Sequence, residues 1–174
     1  MKRHVALVGF MASGKSTVGK RLARRLGWTF VDSDAEIVRE RGAIERIFSR
    51  EGEPAFRRYE QAVVERALAE AAPSVIAVGG GAPTHEPTRR LLADRAYRVF
   101  LCASPEQILA RVRRSKTLRP LLGANPDAER VRSLYETRLP LYREAESIVD
   151  CTDLSLGLTA QVVEERLRAA GVVP

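Results

Sequence analysis

Short apolar runs alternate along the chain with stretches that repeat apolar positions at helical spacing. His4-Val5-Ala6-Leu7-Val8 is the first run, and its near-continuous hydrophobicity predicts a strand buried on both faces. A helix follows from Val18 to Leu26. Thr29-Phe30-Val31 predicts a second strand that ends at Asp32-Ser33-Asp34, and helices are expected over Ala35 to Arg41, Ala43 to Arg50 and Pro54 to about Ala71. After Pro73 and Ser74, Val75-Ile76-Ala77-Val78 reads as a third strand, ending in Gly79-Gly80-Gly81. A short helix near Pro87 to Ala93 leads to Tyr97-Arg98-Val99-Phe100-Leu101, the fourth.

Ser104-Pro105-Glu106-Gln107 then reads as a capping box with proline at the first helical position, opening a helix to about Arg114. Ser115 to Pro126 is polar, holds Pro120, Gly123 and Pro126, and lacks helical periodicity, so a mobile loop is expected. Asp127 to Ala145 is helical with an interruption at Pro140, Ser147-Ile148-Val149-Asp150 is a last short strand, and Thr159 to Ala170 a closing amphipathic helix. Strands alternating with helices predict an α/β fold in three layers, a five-stranded parallel sheet covered on both faces. With 174 residues, no internal repeat and no dividing linker, one domain spanning 1–174 is expected.

In such sheets ligands bind outside the carboxyl ends of the strands. Three strand ends here carry polar or glycine-rich sequence: the stretch from Gly9, the Asp32/Asp34 pair and Gly79 to Gly81. The first, Gly9-Phe10-Met11-Ala12-Ser13-Gly14-Lys15-Ser16-Thr17, has the form GxxxxGKS between a strand and a helix. That arrangement turns backbone N–H groups and the positive end of a helix dipole into one concavity, a cradle for phosphate. Lys15 can reach the terminal phosphates of a nucleotide and the Ser16 hydroxyl can hold Mg²⁺.

Asp32 and Asp34 stand two apart, so extended backbone points both carboxylates to the same side. One can hold the metal and the other can accept the proton of an attacking hydroxyl. The bland alternative is that Asp34 caps the following helix. Gly79 to Gly81 either lets a ligand touch bare backbone or is a flexible turn.

Net charge is +7, carried mostly by arginine, and hydrophobic residues make up 45%, enough for a core. A basic surface for nucleic acid competes with an anion-handling site on an arginine-rich background. No aromatic-interleaved basic patch, zinc-finger or helix-turn-helix pattern supports the former. No apolar run reaches the length of a membrane span, and no signal peptide is visible before the first strand. Cys102 and Cys151 lack metal-ligand spacing and read as reduced thiols, which makes the cytoplasm the expected location. His4 and His85 carry no catalytic expectation. Most arginines read as solvated helix faces, but Arg119 sits beside Pro120 in the polar loop, where a lid can bring it over phosphates.

Together these motifs resemble the shikimate kinases. GFMASGKST, the DSD after the second strand, FRRYE in the long helix, VGGGA after the third strand, LRPLL in the loop and TRLPLY near the end occur in the family's order and approximate spacing, over essentially the whole chain. The resemblance implies a small monomeric kinase of the nucleoside-monophosphate-kinase type with sheet order 2-3-1-4-5. It implies transfer of the γ-phosphoryl of ATP to the 3-hydroxyl of shikimate, giving shikimate 3-phosphate and ADP on the route to chorismate and the aromatic amino acids. By resemblance, Ala12, Ser13, Gly14, Lys15, Ser16 and Thr17 hold the ATP phosphates, with Ser16 on Mg²⁺ and Asp32 assisting.

The same resemblance makes Asp34 the base and a ligand of the shikimate hydroxyls. Arg57 and Arg138 clamp its carboxylate, Gly79, Gly80 and Gly81 cradle its ring, and Arg119 reaches the phosphates. It also implies a substrate-binding helical segment over about 33–60 and a lid over about 115–126. The family's loop more often has glycine where this chain has Ala12, and alanine there needs a permitted backbone angle. ATP and Mg²⁺ are the implied substrate and cofactor, with small-molecule partners and neither nucleic acid nor membrane. The alternatives are another small hydroxy-acid kinase such as a gluconate kinase, which need not share Arg57, Arg138 or the triple glycine, and a non-catalytic metabolite-sensing module.

Overall fold

The computed structural model describes residues 2–114, 121–122 and 127–174. Arg119 and the expected lid, apart from Leu121 and Leu122, lie outside these residues. Strand β1 (His4–Val8) is buried along its whole length and sits at the centre of the sheet. It pairs in parallel with β3 (Ser74–Ala77) on one side and β4 (Ala96–Cys102) on the other. The strands β2 (Thr29–Asp32) and β5 (Ser147–Asp150) form the two edges, giving the order β2-β3-β1-β4-β5 that the resemblance implies. The continuous apolar reading of residues 4–8 and 75–78 thus marks the most buried strands.

Seven α-helices are present among the described residues. Right-handed crossovers dictate their placement. The connection β1 to β2 runs one way across the sheet, and the later ones run the other. Helix α1 (Lys15–Leu26) therefore shares a face with α7 (Leu156–Ala169), and the two pack together. Helices α3 (Ile44–Ala69) and α4 (Glu86–Arg95) pack together on the opposite face. Helix α5 (Pro105–Arg114) packs against α6 (Ala128–Tyr142). No helix among the described residues is long and apolar enough to cross a membrane.

Helix α2 (Ser33–Arg41) and the first part of α3 stand over one end of the sheet around a small apolar cluster of Ile37, Ile47, Phe56 and Val63. The expected break between two helices near residues 50–54 is a kink inside α3 at Gly52, whose φ is 81°. Pro54 follows at once, in the first turn after the kink, where its missing N–H has no partner to lose.

Three local expectations change. Pro140 does not interrupt α6, which continues through it to Tyr142, because the lost bond falls in the last turn. Only half of the capping box forms. Ser104 Oγ accepts from the N–H of Gln107 at 3.2 Å, but the Gln107 amide turns away to the Thr152 carbonyl. Extended backbone also does not persist through Asp34, since α2 begins at Ser33.

Candidate active site

The phosphate-type loop bridges β1 and α1. Gly14 has a φ of 98° and Gly9 one of 145°. A Cβ on Gly9 would lie 2.7 Å from the Leu101 carbonyl oxygen, so strand β4 closes the loop's outer side. Ala12 is the sole non-glycine residue with positive φ among those described, at 61°. That conformation costs an alanine about 1–2 kcal/mol, so something must hold it. The Arg111 guanidinium donates to the Ala12 carbonyl at 3.2 Å. Lys15 is buried, with its ammonium 2.8 Å from the carbonyls of both Gly9 and Phe10. Ser13 Oγ is buried and has no hydrogen-bond partner among the described residues.

Two adjoining cavities open at the carboxyl ends of the strands. One, of about 250 Å³, is lined by Gly14, Lys15, Ser16, Thr17, Asp32 and Asp34. The other, of about 310 Å³, is lined on its polar side by Asp34, Arg57, Gly79 to Gly81 and Arg138. Both cavities share Met11, Asp34, Gly79 and Gly80. The structure thus brings the sequence-selected residues outside the lid into one crevice, except Ser13, which is buried and lines neither cavity.

Asp32, not Asp34, caps α2: its Oδ1 accepts from the N–H groups of Asp34 at 3.1 Å and Ala35 at 3.2 Å. The alternation argument for the two carboxylates therefore fails. They reach one cavity because a helix starts between them. Mg²⁺ fits the donors here. Ser16 and Asp32 line the smaller cavity, the cap uses one carboxylate oxygen of Asp32, and hydroxyl, carboxylate and phosphate oxygens form the hard, oxygen-only set Mg²⁺ takes. No cluster of three or more His, Cys, Asp or Glu suited to a metal occurs among the described residues.

The two arginines of the larger cavity differ. Arg57 is 6% exposed and already paired: Nη1 lies 2.7 Å from Glu60 Oε2 and Nη2 2.8 Å from Glu53 Oε1. Those carboxylates hold its pKa above the usual value against the opposing effect of burial. Arg138 is 4% exposed and forms no ion pair among the described residues. Its neighbours are the Phe10 ring, 5.9 Å from the guanidinium carbon, and Tyr142. A buried cation without a carboxylate among the described residues is costly, and Arg138 stands on the wall of the larger cavity.

Glu60 is a functional candidate that pattern reading missed. It is fully buried, and burial, reinforced by the charge of Asp34 and opposed by Arg57, pushes its pKa up to about 7. The signal was present: Glu60 stands three residues after Arg57 on one helix, the spacing at which side chains meet.

The triple glycine also has a different physical role from a bare ligand contact alone. A Cβ on Gly79 would strike Glu60 and lie 2.9 Å from Asp34 Oδ1. One on Gly80 would lie 3.0 Å from the Met11 nitrogen, and one on Gly81 would overlap the Arg57 guanidinium. The glycines make room for the side chains that line the site. Tyr142, with its phenol pushed up to about 12 by burial, donates to the Gly80 carbonyl and ties α6 to this turn.

The remaining groups are structural. His4 Nδ1 meets Ser74 Oγ at 2.8 Å between β1 and β3, and His85 Nδ1 meets Thr88 Oγ1 at 3.0 Å. Cys102 and Cys151 are free thiols, and the Cys151 thiol lies 2.9 Å from the Cys102 carbonyl.

Comparison with known proteins agrees with this geometry. The family model "Shikimate kinase" matches residues 11–169. Shikimate kinase of Paracidovorax citrulli is 42% identical over 175 residues, covering 98% of this chain and 94% of that protein. That of Pseudomonas putida is 46% identical over 153 residues, covering 87% of each. The structure of shikimate kinase from Acinetobacter baumannii in complex with shikimate superposes with a TM-score of 0.90 at 38% identity, covering 98% of this chain and 95% of that one. A deoxyadenosine kinase from M. mycoides with bound dATP shares the fold alone, with a TM-score of 0.63 at 15% identity. The chain belongs to the shikimate kinase family.

Proposed function

We propose that the chain transfers the γ-phosphoryl group of ATP to the 3-hydroxyl of shikimate, giving shikimate 3-phosphate and ADP. The observation that carries this reading is Arg138. It is a buried guanidinium with no carboxylate partner among the described residues, on the wall of a cavity that shares Asp34 with the phosphate loop. A small organic acid with several hydroxyls matches that wall: its carboxylate meets Arg138 and Arg57 as a planar fork. One hydroxyl then faces Asp34.

In this reading the backbone N–H groups from Ala12 to Thr17 seat the ATP phosphates at the start of α1. Lys15 leaves the Gly9 and Phe10 carbonyls to follow the transferred phosphoryl group. Asp34 accepts the proton of the attacking hydroxyl. Glu60 holds Arg57 in place, and Gly79 to Gly81 leave space for the acceptor ring. Ser16 and Asp32 would hold Mg²⁺, which would supply positive charge to offset that of the phosphates. Arg119 would approach the phosphates from the lid, which excludes water that would otherwise take the phosphoryl group. The same reading makes the enzyme a cytoplasmic monomer.

An ATP-consumption assay against shikimate, quinate and gluconate tests the assignment. Consumption dependent on shikimate, with the others at least a hundredfold lower in kcat/KM, is expected. Preference for gluconate, or no turnover with any of the three, would overturn it.

A further inference from the structure

Ala12 holds a left-handed conformation, φ 61°, at the turn of the phosphate loop, where alanine is strained and glycine is not. The peptide that follows it is gripped at both ends. The Arg111 Nη1 donates to the Ala12 carbonyl at 3.2 Å, and the Ser13 N–H donates to the Phe10 carbonyl at 3.3 Å. Because a peptide unit is planar, holding the carbonyl fixes the direction of the next N–H and thus the loop's entry into Gly14. Arg111 is itself held. Its Nη2 donates to Gln107 Oε1 at 3.2 Å, and the Gln107 amide donates to the Thr152 carbonyl. This explains why Gln107 abandons the capping box: it serves as a strut from the segment after β5 through α5 to the loop.

We propose that Arg111 is a positioning residue for the phosphate loop, its guanidinium restraining the Ala12 carbonyl so that a non-glycine residue keeps the conformation the phosphate cradle needs. The inference rests on reading that loop as the ATP-phosphate site. It does not depend on which hydroxy acid accepts the phosphoryl group.

The test uses Mg²⁺-tripolyphosphate, which carries the phosphates without a nucleoside and so reports the loop alone. Binding is measured by calorimetry on the full chain and on Arg111→Gln, Ala12→Gly and the double variant, with thermal melts to establish that each is folded. Losing a charged hydrogen bond weakens binding by about tenfold, so Arg111→Gln is expected to raise the dissociation constant by that factor. In the Ala12→Gly background the same change is expected to cost less than about threefold, because glycine adopts the conformation unaided. An unchanged constant in Arg111→Gln overturns the proposal, as do equal losses in the two backgrounds. Failure here leaves the acceptor question untouched, since that is decided by the hydroxy-acid panel.

Discussion

Arg57 Nη1 lies 2.7 Å from Glu60 Oε2, one turn further along the same helix, and Glu60 has no exposed surface. The pair therefore acts as a unit: the carboxylate orients the guanidinium, and the guanidinium keeps a buried carboxylate partly ionised. Removing the cation strands the anion. Arg57→Ala is expected to raise the KM for shikimate and to destabilise the protein by about 3 kcal/mol. Steady-state kinetics and a denaturant titration measure the two effects. Loss of ATP affinity alone would remove Arg57 from the acceptor pocket.

Arg138 should behave oppositely in one respect. Arg138→Met keeps the apolar stem and deletes a buried charge that has no carboxylate partner among the described residues, so stability is expected to stay level or rise. The KM for shikimate is expected to rise roughly tenfold to a hundredfold, as for loss of charged hydrogen bonds. A fall in Tm with an unchanged KM would show that Arg138 is structural.

Glu60 gives the protein a predictable pH response. Burial raises its pKa from the ordinary 4.5 to about 7, so between those values the native state binds the proton more tightly than the unfolded chain. Its contribution to stability is fully present below about pH 4.5 and is lost as pH rises through about 7. Wild type should therefore lose about 3 kcal/mol relative to Glu60→Gln across that window. Melts of both proteins at pH 4.5, 6 and 8 test this, and parallel curves would refute it.

Asp34 lies on the wall shared by both cavities. Asp34→Asn is expected to preserve the fold and to cut kcat by about two or more orders of magnitude. Near-normal turnover in a folded Asp34→Asn protein would remove it as base.

Gly80 is limited by space rather than by backbone angle. A Cβ there would meet the Met11 nitrogen at 3.0 Å and the Gly9 carbonyl oxygen at 3.4 Å, both main-chain atoms that cannot swing aside. Gly80→Ala is expected to destabilise by about 1–3 kcal/mol and to lower kcat/KM at least tenfold by shifting the loop. Unaltered kinetics would mean that the loop tolerates displacement.

Much of this was legible in the order of residues. The apolar runs located all five strands, and GxxxxGKS placed a cradle at the end of the first. What the pattern could not carry was contact across elements. Glu60 is not singled out by the sequence, because nothing local shows that Gly79 leaves it room. Asp32 and Asp34 were paired by strand alternation, whereas the chain turns helical between them. Gln107 fitted a local capping rule and was claimed instead by Thr152, distant in sequence. Each miss is a case of tertiary contact overriding a valid local preference.

The wall shared by the two cavities bears on redesign. Met11, Asp34, Gly79 and Gly80 face both chambers, so retooling any of them for a new acceptor would disturb the nucleotide side as well. Val38, Glu45 and Phe48 border the larger chamber alone. Libraries aimed at accepting unnatural alcohols should diversify those three rim positions first, and leave the partition untouched.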